Sequence, residues 1–145
     1  MVWVVDTCVL IDVLEDDPKF GQASAQTLDA HAGEGLTICP VTYAELAPAF
    51  DGDQTIQEEF LMEVAVDFRQ EWTWEDTLRA HESWHGFIQR KRLGLASKRP
   101  LADILIGAFA SRYQGLITRN PNDFKEAFPE LDLRLPVRAE PDQRS

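Results

Sequence analysis

The chain is poor in cysteine, in positive charge and in long apolar runs. Its 145 residues include two cysteines, Cys8 and Cys39. Each adjoins an apolar, strand-like run, so both read as small buried hydrophobes in a reducing compartment, which excludes a disulfide scaffold. Lys and Arg number 14 against 25 Asp and Glu, a net charge of −11. A molecule this acidic is not a nonspecific polyanion binder; a basic partner or bound cations suit it better. No apolar segment approaches the ~20 residues that span a bilayer. No basic stretch precedes the first apolar run, and Asp6 interrupts that run, so no signal peptide is expected. These absences lead us to expect a cytoplasmic protein without membrane association. There is also no internal repeat, low-complexity tract or domain boundary. What remains is an ordinary apolar fraction of 44%, enough for one domain with a real core.

The apolar segments are short and placed at intervals. Residues 2–5 form a run that is β-branched except for Trp3, the pattern of a strand buried on both faces. Residues 36–39, closed by Pro40, and 116–118 read likewise, residues 67–72 are ambiguous, and 133–137 suit an edge strand. Between them lie helical patterns: a short one over 9–14, then 20–31, 42–47, 54–66, 73–92 and 100–113. A last short helix starts at Asn120 and Pro121. Strands and helices alternate, which predicts an α/β fold with a parallel central sheet and helices on both faces, a three-layer α/β/α sandwich. The domain is expected over 1–137, with 138–145 a disordered tail.

Four carboxylates stand out by position. Asp6 ends the first strand, Glu45 lies in the first turn of the short helix after the second, Asp103 in the first turn of the helix from Pro100, and Asp123 in the turn after the 116–118 strand. In open α/β sheets chemistry gathers at the carboxyl ends of the strands, and all four fall at that end. Converging acids raise one another's pKa unless a cation intervenes. Oxygen ligands favour Mg²⁺ or Mn²⁺. Each acid also has a local reading. Asp6 or Thr7 suits a helix N-cap. Thr42 and Glu45 are spaced as a capping box, Asp103 complements a helix dipole, and Asn120 before Pro121 is placed to cap the last helix. Thr7 and Thr118 are candidates for orienting the acids or bonding a phosphate; capping and strand packing explain them equally.

Four blocks then make the chain recognisable: Val5–Asp12, Thr42–Leu46, Pro100–Ala108 and Leu116–Phe124. In content, order and spacing they resemble a PIN domain, and most of all the VapC-type toxins of bacterial and archaeal toxin–antitoxin pairs. The resemblance spans nearly the whole chain. It implies that Asp6, Glu45 and Asp103 match the family's metal-binding acids and Asp123 the usual fourth position. It implies a Mg²⁺- or Mn²⁺-dependent endoribonuclease silenced by a cognate antitoxin. Cys8 stands where many relatives have Ser or Asn, removing a polar contact. Asn120 stands where some have Asp, leaving less negative charge.

Other features compete or add. His81-Glu82-Ser83-Trp84-His85 fits the H-E-x-x-H of zinc proteases, on a helix. Ile88 occupies the place where the extended pattern requires Gly, and no third His follows. A non-enzymatic interaction module is the remaining alternative. Arg90, Lys91, Arg92, Lys98, Arg99 and Arg119 form a local basic strip, with Arg112 and Lys125 beside it. Such a strip suits an RNA backbone or equally a solvated helix end. The helices at 20–31 and 54–66 offer apolar faces for an antitoxin or a homodimer; core packing serves them as well.

Overall fold

The computed structural model describes residues 1–91 and 100–137. Five strands form one parallel sheet: β1 (Trp3–Val5), β2 (Leu36–Thr37), β3 (Val66–Asp67), β4 (Gly115–Ile117) and β5 (Leu133–Arg134), in the order β3-β2-β1-β4-β5. β1 lies in the middle, with Trp3 opposite both Leu36 and Gly115. The helices are α1 (Thr7–Leu14), α2 (Gly21–His31), α3 (Pro40–Glu45), α4 (Gln54–Glu63), α5 (Trp74–Lys91), α6 (Pro100–Ala110) and α7 (Asn122–Lys125). This is the α/β/α arrangement that the alternation implied.

Successive strand residues point to opposite faces, and the cores follow that rule. Trp3, Val5 and Ile117 join Val9, Leu10, Leu28 and Leu61 on one face. Val4 and Leu116 join Ile106, Phe109, Phe124 and Phe128 on the other. The continuous apolar runs are continuous because both faces are covered. Gly107 on α6 lies flat against the Phe128 ring, where a Cβ would overlap it.

Several boundaries differ from the sequence reading. α3 begins at Pro40, not at residue 42, because proline's fixed φ and missing N–H suit the first helical turn. Glu45 is therefore the last residue of α3, not in its first turn, and Thr42 does not form a capping box with it. α4 stops at Glu63, and Val66 starts a strand. The left-handed Ala65, φ 61°, turns the chain between them. Asn120 is not a side-chain cap either: Pro121 occupies the N-cap position of α7 without a side-chain bond.

A capping box does appear at α5. Thr73 N–H donates to Asp76 Oδ2 at 3.0 Å and Asp76 N–H to Thr73 Oγ1 at 3.2 Å. Asp76 is fully buried and also accepts from Arg112 Nε at 2.7 Å and Nη2 at 2.9 Å. Burial pushes the Asp76 carboxyl up, but the bonds from Arg112 and Thr73 outweigh it and hold the pKa below the ordinary value. The same bonds raise Arg112.

Candidate active site

The chain runs β1, β2, β3 to one side of the sheet and then returns to lay β4 on the other side of β1. A crevice opens where strand order reverses in this way, at the carboxyl ends of the two diverging strands. Asp6 directly follows β1 and Thr118 directly follows β4. Both are buried. The Asp6 backbone N–H donates to Ile117 O at 2.9 Å, extending the ladder past the last strand residue.

Asp6 sits at the N-cap of α1 with extended backbone, φ −72° and ψ 150°. Its Oδ1 accepts from Thr7 N–H at 2.8 Å. Its Oδ2 accepts from the Thr118 hydroxyl at 2.8 Å, and the Cys8 thiol lies 3.4 Å away. The capping reading and the site reading of Asp6 are thus both met by one side chain. Thr7 Oγ1 stands 2.7 Å from Glu45 Oε1 and 2.9 Å from Thr42 Oγ1. A hydroxyl carries one proton; the carboxylate accepts it, and Thr42 donates in turn to Thr7. Thr7 therefore joins the segment of Asp6 to Glu45.

Asp103 is buried in the first turn of α6. It lines a cavity of about 430 Å³ together with Arg90, Asn122, Asp123 and Lys125. Asp123 is exposed at the rim. The acids thus form two described pairs, Asp6 with Glu45 through Thr7, and Asp103 with Asp123 across one cavity. Among the described residues no three His, Cys, Asp or Glu side chains form a closed metal cage. The donor chemistry nonetheless fits Mg²⁺ or Mn²⁺. All candidate ligands are carboxylate oxygens, two of them buried and oriented by the fold. Mg²⁺ takes one or two carboxylates and keeps several waters rather than needing a full protein cage.

Cys8 makes the contact that a hydroxyl or amide would make, though sulfur donates weakly. Burial and then the charge of Asp6 push its pKa up to about 12, so it stays a neutral thiol beside the acid. Asn120 is exposed, with Nδ2 3.9 Å from Cys8 Sγ. Its backbone N–H donates to Thr118 Oγ1 at 3.0 Å. That hydroxyl accepts from Asn120 while donating to Asp6, so its proton direction is fixed.

The sequence reading passed over Asp12 as a site-organising residue. It is buried on α1, and its Oδ2 lies 3.4 Å from Arg119 Nε. The geometry is that of an ion pair and not of a hydrogen bond. Burial raises the Asp12 pKa, with Arg119 opposing. The Arg119 guanidinium also stands 4.7 Å from the Phe20 ring centroid. Asp12 interrupts the apolar Val9–Leu14 run on its buried side, the one signal that pointed to it. The described arginines of the basic strip are all engaged: Arg90 with Glu126 at 3.3 Å, Arg112 with Asp76, Arg119 with Asp12. Arg92, Lys98, Arg99, the Lys91 side chain and the tail after residue 137 lie outside the described residues. His81 and His85 are both exposed on α5. A zinc protease site is buried in a cleft with a third ligand; the described residues gather none around this pair.

Comparison with known proteins agrees with this fold. The family model described as PIN domain matches residues 3–128. No curated protein matches. Among solved structures, a chain of the crystal structure of VapBC2 from Rickettsia felis bound to a DNA fragment from their promoter is similar. Its TM-score is 0.67 at 17% identity, over 93% of this chain and 98% of that one. At that identity the likeness speaks for the fold. Among the described residues no helix is long and apolar enough to cross a membrane.

Proposed function

The chain belongs to the PIN domain family, and on that premise we propose that it is a Mg²⁺- or Mn²⁺-dependent endoribonuclease, the toxin of a toxin–antitoxin pair. The observation that carries the reading is the buried carboxylate of Asp6, oriented by Thr118 and Thr7 at the point where the strand order reverses. Asp6 and Asp103 would hold the ion, with Glu45 and Asp123 binding directly or through water. A bound divalent ion polarises a phosphodiester oxygen and lowers the pKa of a water.

The chain's own residues do the rest. Thr118 fixes the rotamer of Asp6 by donating to one oxygen while the Thr7 N–H holds the other. Thr7 turns Glu45 toward the same segment. The Cys8 thiol stays protonated, so no further negative charge opposes the RNA there. Lys125, on the cavity that Asp103 and Asp123 line, is positioned to meet a phosphate.

The antitoxin is proposed from the charge of −11 and from the similarity to a chain of the VapBC2 structure. A small basic protein suits this surface. The test is cleavage mapping on total RNA with and without Mn²⁺, for the natural chain and for Asp6→Asn and Asp103→Asn. The expected result is Mn²⁺-dependent cuts that both variants lose by at least about 10²-fold, the scale of losing a main electrostatic element. Cleavage undiminished by EDTA would sink the proposal, and no cleavage of any RNA would favour a non-enzymatic module.

A further inference from the structure

Thr118, Arg119 and Asn120 lead from β4 toward α7, and the Thr118 hydroxyl at the head of this turn donates to Asp6. Whatever fixes the turn therefore bears on the acid. Asn120 ties it to α1 through Cys8, with Nδ2 3.9 Å from the sulfur, and sulfur is a weak acceptor. The Arg119 side chain makes a different tie. Its Nε lies 3.4 Å from Asp12 Oδ2, and its guanidinium stands 4.7 Å from the centroid of Phe20, the N-cap residue of α2. One side chain of the turn thus reaches both helices of the layer beside it.

Asp12 stands on a backbone that cannot easily yield. Its carbonyl accepts from Asp17 N–H at 2.9 Å. Gly21 of α2 comes so close that a Cβ there would lie 3.0 Å from the same carbonyl oxygen. Among the described residues, neither Asp12 Oδ2 nor Arg119 Nε has a hydrogen-bond partner, and both atoms are buried. The tie is one of charge, and each ion is the other's compensation for burial.

We propose that Arg119 is a positioning residue for the metal: paired with Asp12 and laid on Phe20, it holds the 118–120 turn so that Thr118 keeps Asp6 turned to receive a divalent ion. The inference rests on the metal-dependent reading above and deepens it. Charge alone predicts the opposite effect of losing Arg119. It is a cation next in sequence to Thr118, like charges repel, and its removal would by Coulomb's law strengthen Mn²⁺ binding. Positioning predicts weaker binding. A tie that serves only folding predicts lower stability and unchanged affinity. The sign of the change in affinity separates the three.

Mn²⁺ affinity of the full chain is measured by electron paramagnetic resonance of the free ion, alongside thermal melts. Arg119→Met is expected to bind Mn²⁺ about 10-fold more weakly, the lower end of what losing a partner behind a metal ligand costs. Thr118→Val should bind as weakly, and the chain carrying both changes no more weakly than Thr118→Val alone. Arg119→Met leaves a buried carboxylate without its cation. Asp12→Asn combined with Arg119→Met removes both charges at once, a change that buried pairs tolerate, and leaves the net charge as it was. This pair is expected to keep the natural circular dichroism and show the same 10-fold loss. Unchanged or tighter Mn²⁺ binding in either variant overturns the proposal, and so does a loss that adds to that of Thr118→Val. A natural chain that binds no Mn²⁺ overturns the metal-dependent reading itself, and this proposal with it.

Discussion

Thr118 donates its hydroxyl to Asp6 Oδ2 at 2.8 Å across 112 positions of sequence. The bond lies in the core, where a buried acceptor that loses its donor costs about 1–3 kcal/mol. Thr118→Val keeps the shape and removes the proton. We expect a stability loss of about 1–2 kcal/mol, read by denaturant melt, and a fall in Mn²⁺-dependent cleavage larger than that of a remote variant of equal stability. Cleavage at the natural rate would show that Thr118 does not orient the acid.

Asp76 and Arg112 form a close ion pair, Nε to Oδ1 2.7 Å. Removing one partner of a buried pair costs about 3–5 kcal/mol, so Arg112→Met should lower stability by about 3 kcal/mol, Arg112 being partly open to solvent. The folded pKa of Asp76 is depressed. Its contribution is therefore present above the ordinary carboxylate pKa near 3.8 and is lost as pH falls through the lower folded value. Asp76→Asn should be less stable at pH 7 and show a flatter decline in acid. Parallel acid melting curves for the two proteins would contradict this.

Gly107→Ala tests the contact with Phe128. Alanine favours a helix over glycine by about 1 kcal/mol, so propensity alone predicts stabilisation. The ring occupies the place of the new methyl, and overpacking costs about 1–3 kcal/mol. We expect a net loss, with Phe128→Leu in the same chain restoring part of it. A melting temperature raised by Gly107→Ala alone would show that the ring moves aside freely.

Both thiols should be inert in the folded protein. Burial comes first among the causes that push Cys8 and Cys39 up to about 12. At pH 8 the thiolate fraction is then on the order of one in ten thousand, and the thiolate is the reactive form. Alkylation by iodoacetamide at pH 8 should be far slower than for free cysteine and should reach that rate only in denaturant. Rapid native labelling of Cys8 would mean that the site opens.

The order of elements was legible because apolar runs and their period survive in sequence. β1 and β4 were found since both faces bury them. β3 reads only as an ambiguous stretch over 67–72, a candidate short strand, since two residues carry no period, and Val66 is absorbed into the helical pattern of Ile56, Phe60 and Leu61. α3 was started late because Pro40 reads equally as a strand's end and a helix's first residue. Asp6 and Asp103 stood out by abrupt polarity at the edge of apolar runs. Asp12 interrupts an apolar run too, but that signal does not say which side of α1 faces inward. The partners of Arg112 and Arg119 were illegible for another reason. Asp76 is 36 positions from Arg112, and no local pattern records a contact made across the fold. Arg119 looked like a phosphate ligand, and the structure places it against Asp12 and Phe20.

The central place of β1 has a consequence for synthesis. Asp6 leaves a ribosome 112 residues ahead of Thr118, and so ahead of β4. Until they emerge, one edge of the middle strand has no neighbour and the acid lacks its hydroxyl donor. A nascent or prematurely ended chain shorter than Thr118 therefore carries Asp6, Glu45 and Asp103 without the strand that closes the sheet beside them. On the function proposed above, the ribonuclease gains its oriented Asp6 only after Thr118 has been made, and a chain cut short of β4 has no such acid to turn on its messenger.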